Sequence, residues 1–236
     1  MKPIVRDANL SQAFKTGWQL YKENFGFILG VTLVAGLVSA VTCGICAGPM
    51  SCGAYAVLLA LLRKREPKPQ FGELFSAGFA KFAPAFVALL ALWAADVALN
   101  VVLPLVPIAG HLAGCAVSFV ASGVIAWSML LVADQNATIG EAISEPFQCF
   151  KDNRFWMFVL IVFLGGLVAA AGLLLCFVGV FFTGPFAYCV TVAAYEQMTG
   201  GGEGVPPPAA APVPPPPAAP AAPAEPVPEP PPAPEA

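Results

Sequence analysis

Six runs of apolar residues decide what this chain can fold into. They cover about 25–43, 45–62, 82–103, 108–132, 155–178 and 180–198. A stretch of about 18 or more apolar residues suits a membrane-spanning helix, and these runs meet or approach that length. In hydrocarbon every backbone N–H and C=O must find its partner within the protein, so such runs become helices. The chain is 58% hydrophobic and 11% charged, where a soluble domain carries roughly 25% charged residues. A soluble core can hide one such run, but not six. The expectation is an all-α membrane protein with six transmembrane helices.

Charge placement sets the orientation. All eleven Lys and Arg fall in three places. These are the N-terminus (Lys2, Arg6, Lys15, Lys22), the 63–81 loop (Arg63, Lys64, Arg65, Lys68, Lys81) and the 133–154 loop (Lys151, Arg154). The turns near 44, 105 and 179 carry none. With six spans, all three places and both termini fall on one side, and the positive-inside rule makes that side cytoplasmic. Trp18, Trp127 and Trp156 fall near it and are expected to form an aromatic belt. The first 24 residues lack a continuous apolar core, so a cleavable signal peptide is not expected and the first span inserts the chain.

A repeat organises the runs. Residues 8–27, ANLSQAFKTGWQLYKENFGF, lie over 137–156, ATIGEAISEPFQCFKDNRFW, with Ala8/Ala137, Ala13/Ala142, Gln19/Gln148, Lys22/Lys151 and Asn24/Asn153 identical. In the first copy Leu10, Ala13, Phe14, Gly17, Trp18, Tyr21 and Phe25 form one stripe of helical period. A lysine-edged aromatic stripe suits a helix lying in the headgroup plane; the alternative is a solvated helix packed on the bundle. Asn9 with Gln12, and Thr138 with Glu141, can form capping boxes. A third copy, FGELFSAGF at 71–79, matches IGEAISEPF at 139–147. The expectation is three parallel repeats of an interfacial helix plus a helical hairpin, at about 8–65, 70–133 and 137–198 within a membrane domain of 1–199. An axis along the membrane normal relates such repeats. The turns echo one another in AGP at 47–49 and TGP at 183–185, with LVP at 105–107 a poorer match. Gly26, Gly30, Gly36, Gly165, Gly166 and Gly172 are expected to let helices approach closely. Residues 200–236, glycine-rich to 204 and then almost entirely Pro and Ala with a few Glu, read as a disordered, extended cytoplasmic spacer rather than a docking peptide.

Few residues can carry chemistry. Asp96 is the one formal charge well inside a run, with Asn100 one turn on. An intramembrane carboxylate marks a functional site by default. It reads either as a proton or cation site on the bundle axis, or as a protonated acid bonded to a neighbouring hydroxyl or carbonyl. Its equivalents near Ala35 and Leu164 are apolar. Cys43 and Cys46 form a CGIC, and His111 and Cys115 lie one turn apart, all at the outer face. They read as a metal-ligand set, as a redox disulfide, or as plain packing. Trp18, Lys22, Lys151 and Trp156 are the expected interfacial anchors. The basic stretch RKREPKPQ at 63–70 sets topology or meets anionic lipid headgroups. The strings H-E-x-x-H and G-x-S-x-G and a Gly-rich phosphate loop with Lys are missing, so no enzyme and no cofactor is expected.

Residues 8–199 resemble a class of bacterial six-span inner-membrane proteins through GWQLYKENF, DQNATIGEAISEPFQCFKDN and TGPF…AAYEQM. That class is similar to the membrane domain fused to some glycerophosphodiester phosphodiesterases. The resemblance implies a bacterial inner-membrane location and no assigned activity, since the catalytic domain has no counterpart here. The expected function is a non-enzymatic membrane scaffold or accessory protein in envelope or lipid homeostasis. The alternative is a small transporter or channel using Asp96. The expected partners are the lipid bilayer, anionic headgroups and another membrane or cytoplasmic protein, with no nucleic acid.

Overall fold

The computed structural model describes residues 7–103, 109–150, 153–172 and 178–200. Among them are nine helices and no strand. They are α1 (Leu10–Glu23), α2 (Phe25–Val41), α3 (Ala47–Leu62), α4 (Phe71–Ala80), α5 (Phe82–Val102), α6 (Ala109–Gln135), α7 (Ile139–Cys149), α8 (Asn153–Ala171) and α9 (Val178–Thr199). Three are long and apolar enough to cross a membrane: α5, the Ala113–Gln135 part of α6, and α8. A fourth is counted if α1 and α2, bent by 96° at their junction, form one span. Helices of this kind are those of a multi-pass membrane protein. The expected count of six meets a physical limit at three places. Helices α2 and α3 have only 17 and 16 residues. Helix α9 is diluted by Thr183, Gly184 and Pro185 and carries Glu196 and Gln197 in its last turn.

The three short helices start for local reasons. Asn9 Oδ1 accepts from the Gln12 backbone N–H at 3.1 Å, which fills one orphan donor of the first turn of α1. The reciprocal half of that box is missing, because the Asn9 N–H donates to Gln197 Oε1 of α9 instead, at 2.9 Å. The box at α7 is complete: Glu141 accepts from the Thr138 N–H and hydroxyl, both at 2.8 Å. Those bonds hold the Glu141 carboxyl below the usual range. At α4 the Gln70 N–H donates to Glu73 at 3.2 Å.

Packing is centred on α3, α6 and α9, which touch one another. Helices α2, α5 and α8 lie outside them, and each touches two: α2 packs on α3 and α9, α5 on α6 and α3, α8 on α9 and α6. The short helices sit in the same manner, α4 on α3, α7 on α6 and α1 on α9. Each buries a compact pair, Ala13 and Gly17, Leu74 and Gly78, or Ala142 and Pro146, and α1 buries Leu20 and Tyr21 as well. One continuous core joins Leu58 and Leu59 of α3, Leu130 and Leu131 of α6, and Val190, Ala194 and Tyr195 of α9.

Three sequence expectations are corrected here, and two lie beyond reach. Trp127 is only 1% exposed and joins no belt. Its ring meets Phe155, Phe158 and Tyr195 edge-on, because α6 is an inner helix. The TGP string lies inside α9, whereas AGP forms the first turn of α3. Proline fits a first turn, where its missing N–H has no partner to lose. Inside α9 the Pro185 break is bordered by a Tyr21 hydroxyl bond to the Phe182 carbonyl at 3.0 Å. The LVP string and Lys151 lie outside the described residues. Finally, Gly26, Gly36 and Gly166 meet no neighbouring atom within 4 Å. The tightest helix contact is elsewhere: a Cβ at Gly53 of α3 would sit 2.1 Å from the Leu74 carbonyl oxygen of α4.

Gly53→Ala should therefore lower unfolding stability by about 1–3 kcal/mol, as overpacking does. Gly36→Ala, on an open helix face, should raise it by up to about 1 kcal/mol. Thermal unfolding of both variants in detergent checks the opposite signs; an unchanged Gly53→Ala variant would show that α3 and α4 are not so close.

Candidate functional site

Two polar clusters interrupt the apolar bundle. The first lies where the C-terminal ends of α3, α6 and α9 meet. Arg63 caps α3, Asp134 is in the last turn of α6 and Glu196 in the last turn of α9. Arg63 Nε and Nη2 donate to Glu196 at 3.0 and 2.8 Å, and Nη1 and Nη2 donate to the two Asp134 oxygens. This is a guanidinium held between two carboxylates, the pairing that suits its planar fork. The Tyr195 hydroxyl donates to Asp134 Oδ2 at 3.2 Å and accepts from Gln135 Nε2 at 3.1 Å. Lys81, between α4 and α5, donates to the Ala133 carbonyl at 2.6 Å. Burial pulls the Lys81 ammonium below its usual range, against the nearby Asp134 charge. Burial pulls Arg63 down too, but its bonds to Glu196 and Asp134 outweigh that and raise it.

The backbone supports this convergence. Lys64 after α3, Asn136 after α6 and Gly200 after α9 have φ of 49°, 53° and 65°. A left-handed residue after the last turn is a common helix stop, so three inner helices end alike at the cluster. The Asp134 side chain is only 4% exposed. An acid so placed is costly unless paired.

The second cluster is the one expected from sequence. Asp96 and Asn100 of α5 come together, and Ser118 of α6 joins them. Asn100 Nδ2 and Ser118 Oγ both donate to Asp96 Oδ1 at 3.1 Å, and Asn100 Nδ2 also reaches Ser118 Oγ at 2.9 Å. Asp96 does not lie where α3, α6 and α9 meet. It lines a groove of about 440 Å³ between α5 and α6, closed at one end by Phe147 and Phe150 of the α7 segment. Apart from Asp96 the lining is aliphatic or aromatic.

The remaining candidates are dispersed. Cys43 sits exposed in the α2–α3 turn, where its φ is 50°, and Cys46 is half-buried just before α3. His111 and Cys115 are exposed on α6. These three cysteines are free thiols. Among the described residues no three His, Cys, Asp or Glu side chains group for a metal ion. Trp18 is half exposed, with Lys22 Nζ 5.7 Å from its ring. Trp156 is also exposed and touches Phe150.

Sequence reading missed the Arg63 cluster, since Arg63 looked like one topology charge among several. The signal was present in the DQ of 134–135 and the EQ of 196–197, each at the end of an apolar run.

Arg63→Met should destabilise the bundle by about 3 kcal/mol, the usual result of leaving buried partners unpaired. Arg63→Lys should recover only part of that, because an ammonium cannot fork between two carboxylates. Thermal unfolding at low and high salt checks it; a fully rescued lysine variant would reduce the fork to a simple charge.

Comparison with protein-family models, with curated proteins and with solved structures finds no match.

Proposed function

We propose that this chain is a six-span inner-membrane protein with both ends cytoplasmic, working as a non-enzymatic scaffold or accessory protein in envelope or lipid homeostasis. Its plan is three parallel units, each an interfacial helix followed by a hairpin. The packing supports the three units: α4 on α3, α7 on α6 and α1 on α9 form one cyclic pattern, and α5, α8 and α2 follow it. The shared end of α3, α6 and α9 supports six spans, because helices whose C-termini meet run in one direction and need return helices. At 1.5 Å per residue, α2 and α3 cover about 25 Å, which a locally thinned bilayer accommodates.

The observation that carries the scaffold reading is the solid centre. Trp127, Tyr195, Leu58, Leu130 and Leu131 are almost wholly buried, and Arg63 ties the helix ends beside them. The distinctive surfaces are instead lateral. Trp18, Phe75, Phe79 and Phe147 are exposed on α1, α4 and α7, as headgroup-plane helices require. The 96° bend at Asn24 supports an α1 that lies across the membrane plane while α2 enters it.

A second reading, a small transporter, is favoured by one feature: Asp96 in its groove. Asp96→Leu separates the two. The scaffold reading expects a folded, equally or more stable protein and an unchanged cellular phenotype. Loss of a solute flux in a folded variant would replace it with transport. Topology is tested by an impermeant maleimide on intact cells, with other cysteines replaced by Ser. Cys43 should react from outside, and a Lys68→Cys variant only after permeabilisation. The reverse pattern would sink the orientation, and equal labelling of both would sink the span count.

A further inference from the structure

We propose that the groove between α5 and α6 binds an amphiphilic cation, its alkyl chain lying along α6 and its ammonium on Asp96. The inference deepens the Asp96 reading above by naming a ligand class, and it holds whether or not anything is transported.

Shape comes first. A volume of about 440 Å³ lies within the roughly 300–1,000 Å³ of small-molecule sites. The floor is made of small or slim side chains, among them Ala116, Val120, Ala121 and Val124. From Ala116 to Ile125 it runs about 14 Å along the helix. Phe147 and Phe150 stop one end. An apolar chain fits such a trough, and nothing polar along it competes except Asp96.

Charge decides the head. Asn100 and Ser118 donate to Asp96 Oδ1, while Oδ2 receives no hydrogen bond among the described residues. The protein's own donors thus take one oxygen of the carboxylate and leave the other unbonded. Asn100 itself needs the gap at Gly114, where a Cβ would come within 2.9 Å of its Oδ1. An ammonium offers both charge and donors to the open oxygen, and such bonds are the strong ones. An alcohol offers a donor without charge, and a carboxylate is repelled.

The neighbouring sector shows what a filled version is like. On the three-unit reading, Asp134-Gln135 aligns with Glu196-Gln197, which puts Val120 and Val124 of α6 at the places of Phe182 and Phe186 of α9. There Phe186 meets the rings of Phe14, Trp18 and Tyr21, and Phe182 stacks on Phe25. The chain's own aromatic rings occupy that place. Valines leave it open beside α5, the helix that carries Asp96.

Binding of radiolabelled dodecylammonium, dodecanol and dodecanoate to the full chain in phosphatidylcholine nanodiscs tests this, with empty discs subtracted. The expected result is one saturable dodecylammonium per chain, with dodecanol and dodecanoate weaker by about tenfold or more. Asp96→Asn should weaken dodecylammonium by about tenfold. Val120→Phe, which keeps the acid and fills the trough, should weaken it as much and decides the matter if Asp96→Asn fails to fold. Equal binding by wild type and a folded Asp96→Asn or Val120→Phe variant overturns the proposal, as does equal binding of dodecanoate. The maleimide pattern is independent of this result, so failure of the span reading and failure of the groove are told apart.

Discussion

The meeting of α3, α6 and α9 depends on the fork of Arg63. Helix C-termini carry partial negative charge, so acids there are unfavourable and cations favourable. Asp134 and Glu196 break that rule, each in the last turn of its own helix. They are tolerated because Arg63 lies between them and binds both. Lys81 adds a second cation on the Ala133 carbonyl, so two positive side chains answer two negative ones. A guanidinium with fewer partners at this depth would cost more than it returns. The cluster thereby fixes three helix ends at one level, and the rest of the bundle inherits that level.

From that level the short helices follow. Each needs a place where an amphipathic face can be buried beside an inner helix. Each presents a compact pair one turn apart: Ala13 with Gly17, Leu74 with Gly78, Ala142 with Pro146. At Gly17 a Cβ would come within 2.9 Å of the Val190 backbone, so α1 lies almost backbone to backbone on α9. Beside such a close approach, several large side chains stand at the flanks, although Leu20 and Tyr21 of α1 are buried. At those flanks Trp18, Phe79 and Phe147 are exposed.

The helical class was legible because hydrocarbon leaves the backbone little choice, and the apolar runs match helix bounds to within a few residues except the fifth, which was read to 178 where α8 ends at Ala171 and α9 begins at Val178. Helix α6 was read too short: Ala133, Asp134 and Gln135 look like a loop by hydropathy, yet continue the helix because their polar groups are satisfied by Arg63 and Tyr195. Trp127 was misread for a related reason. Distance from the end of a run gives depth, and depth alone cannot tell an inner helix from an outer one. The glycines were legible in part: Gly30, Gly165 and Gly172 do face close neighbours, whereas Gly26, Gly36 and Gly166 look the same in sequence and face none. Asp96 and Asn100 were legible as a local pair. Ser118 was not, because its place beside them is set by how α5 leans on α6.

Asp96 and Arg63 also explain each other's roles. Both are charged groups in an apolar bundle, and both are held by hydrogen bonds. Arg63 has its donors taken by two carboxylates, and removing a partner leaves a debt inside the core. Asp96 is bonded through one oxygen, on a helix whose outer face is exposed at Leu90, Trp93 and Val97. A closed cluster at the centre serves cohesion, and an open one at the edge leaves chemistry unspent. The short and inner helices sharpen that contrast. Compact pairs under α1, α4 and α7, and left-handed stops after α3, α6 and α9, are architecture. Asp96 beside its groove is not part of that shared pattern, and the proposed amphiphilic cation would give it a role.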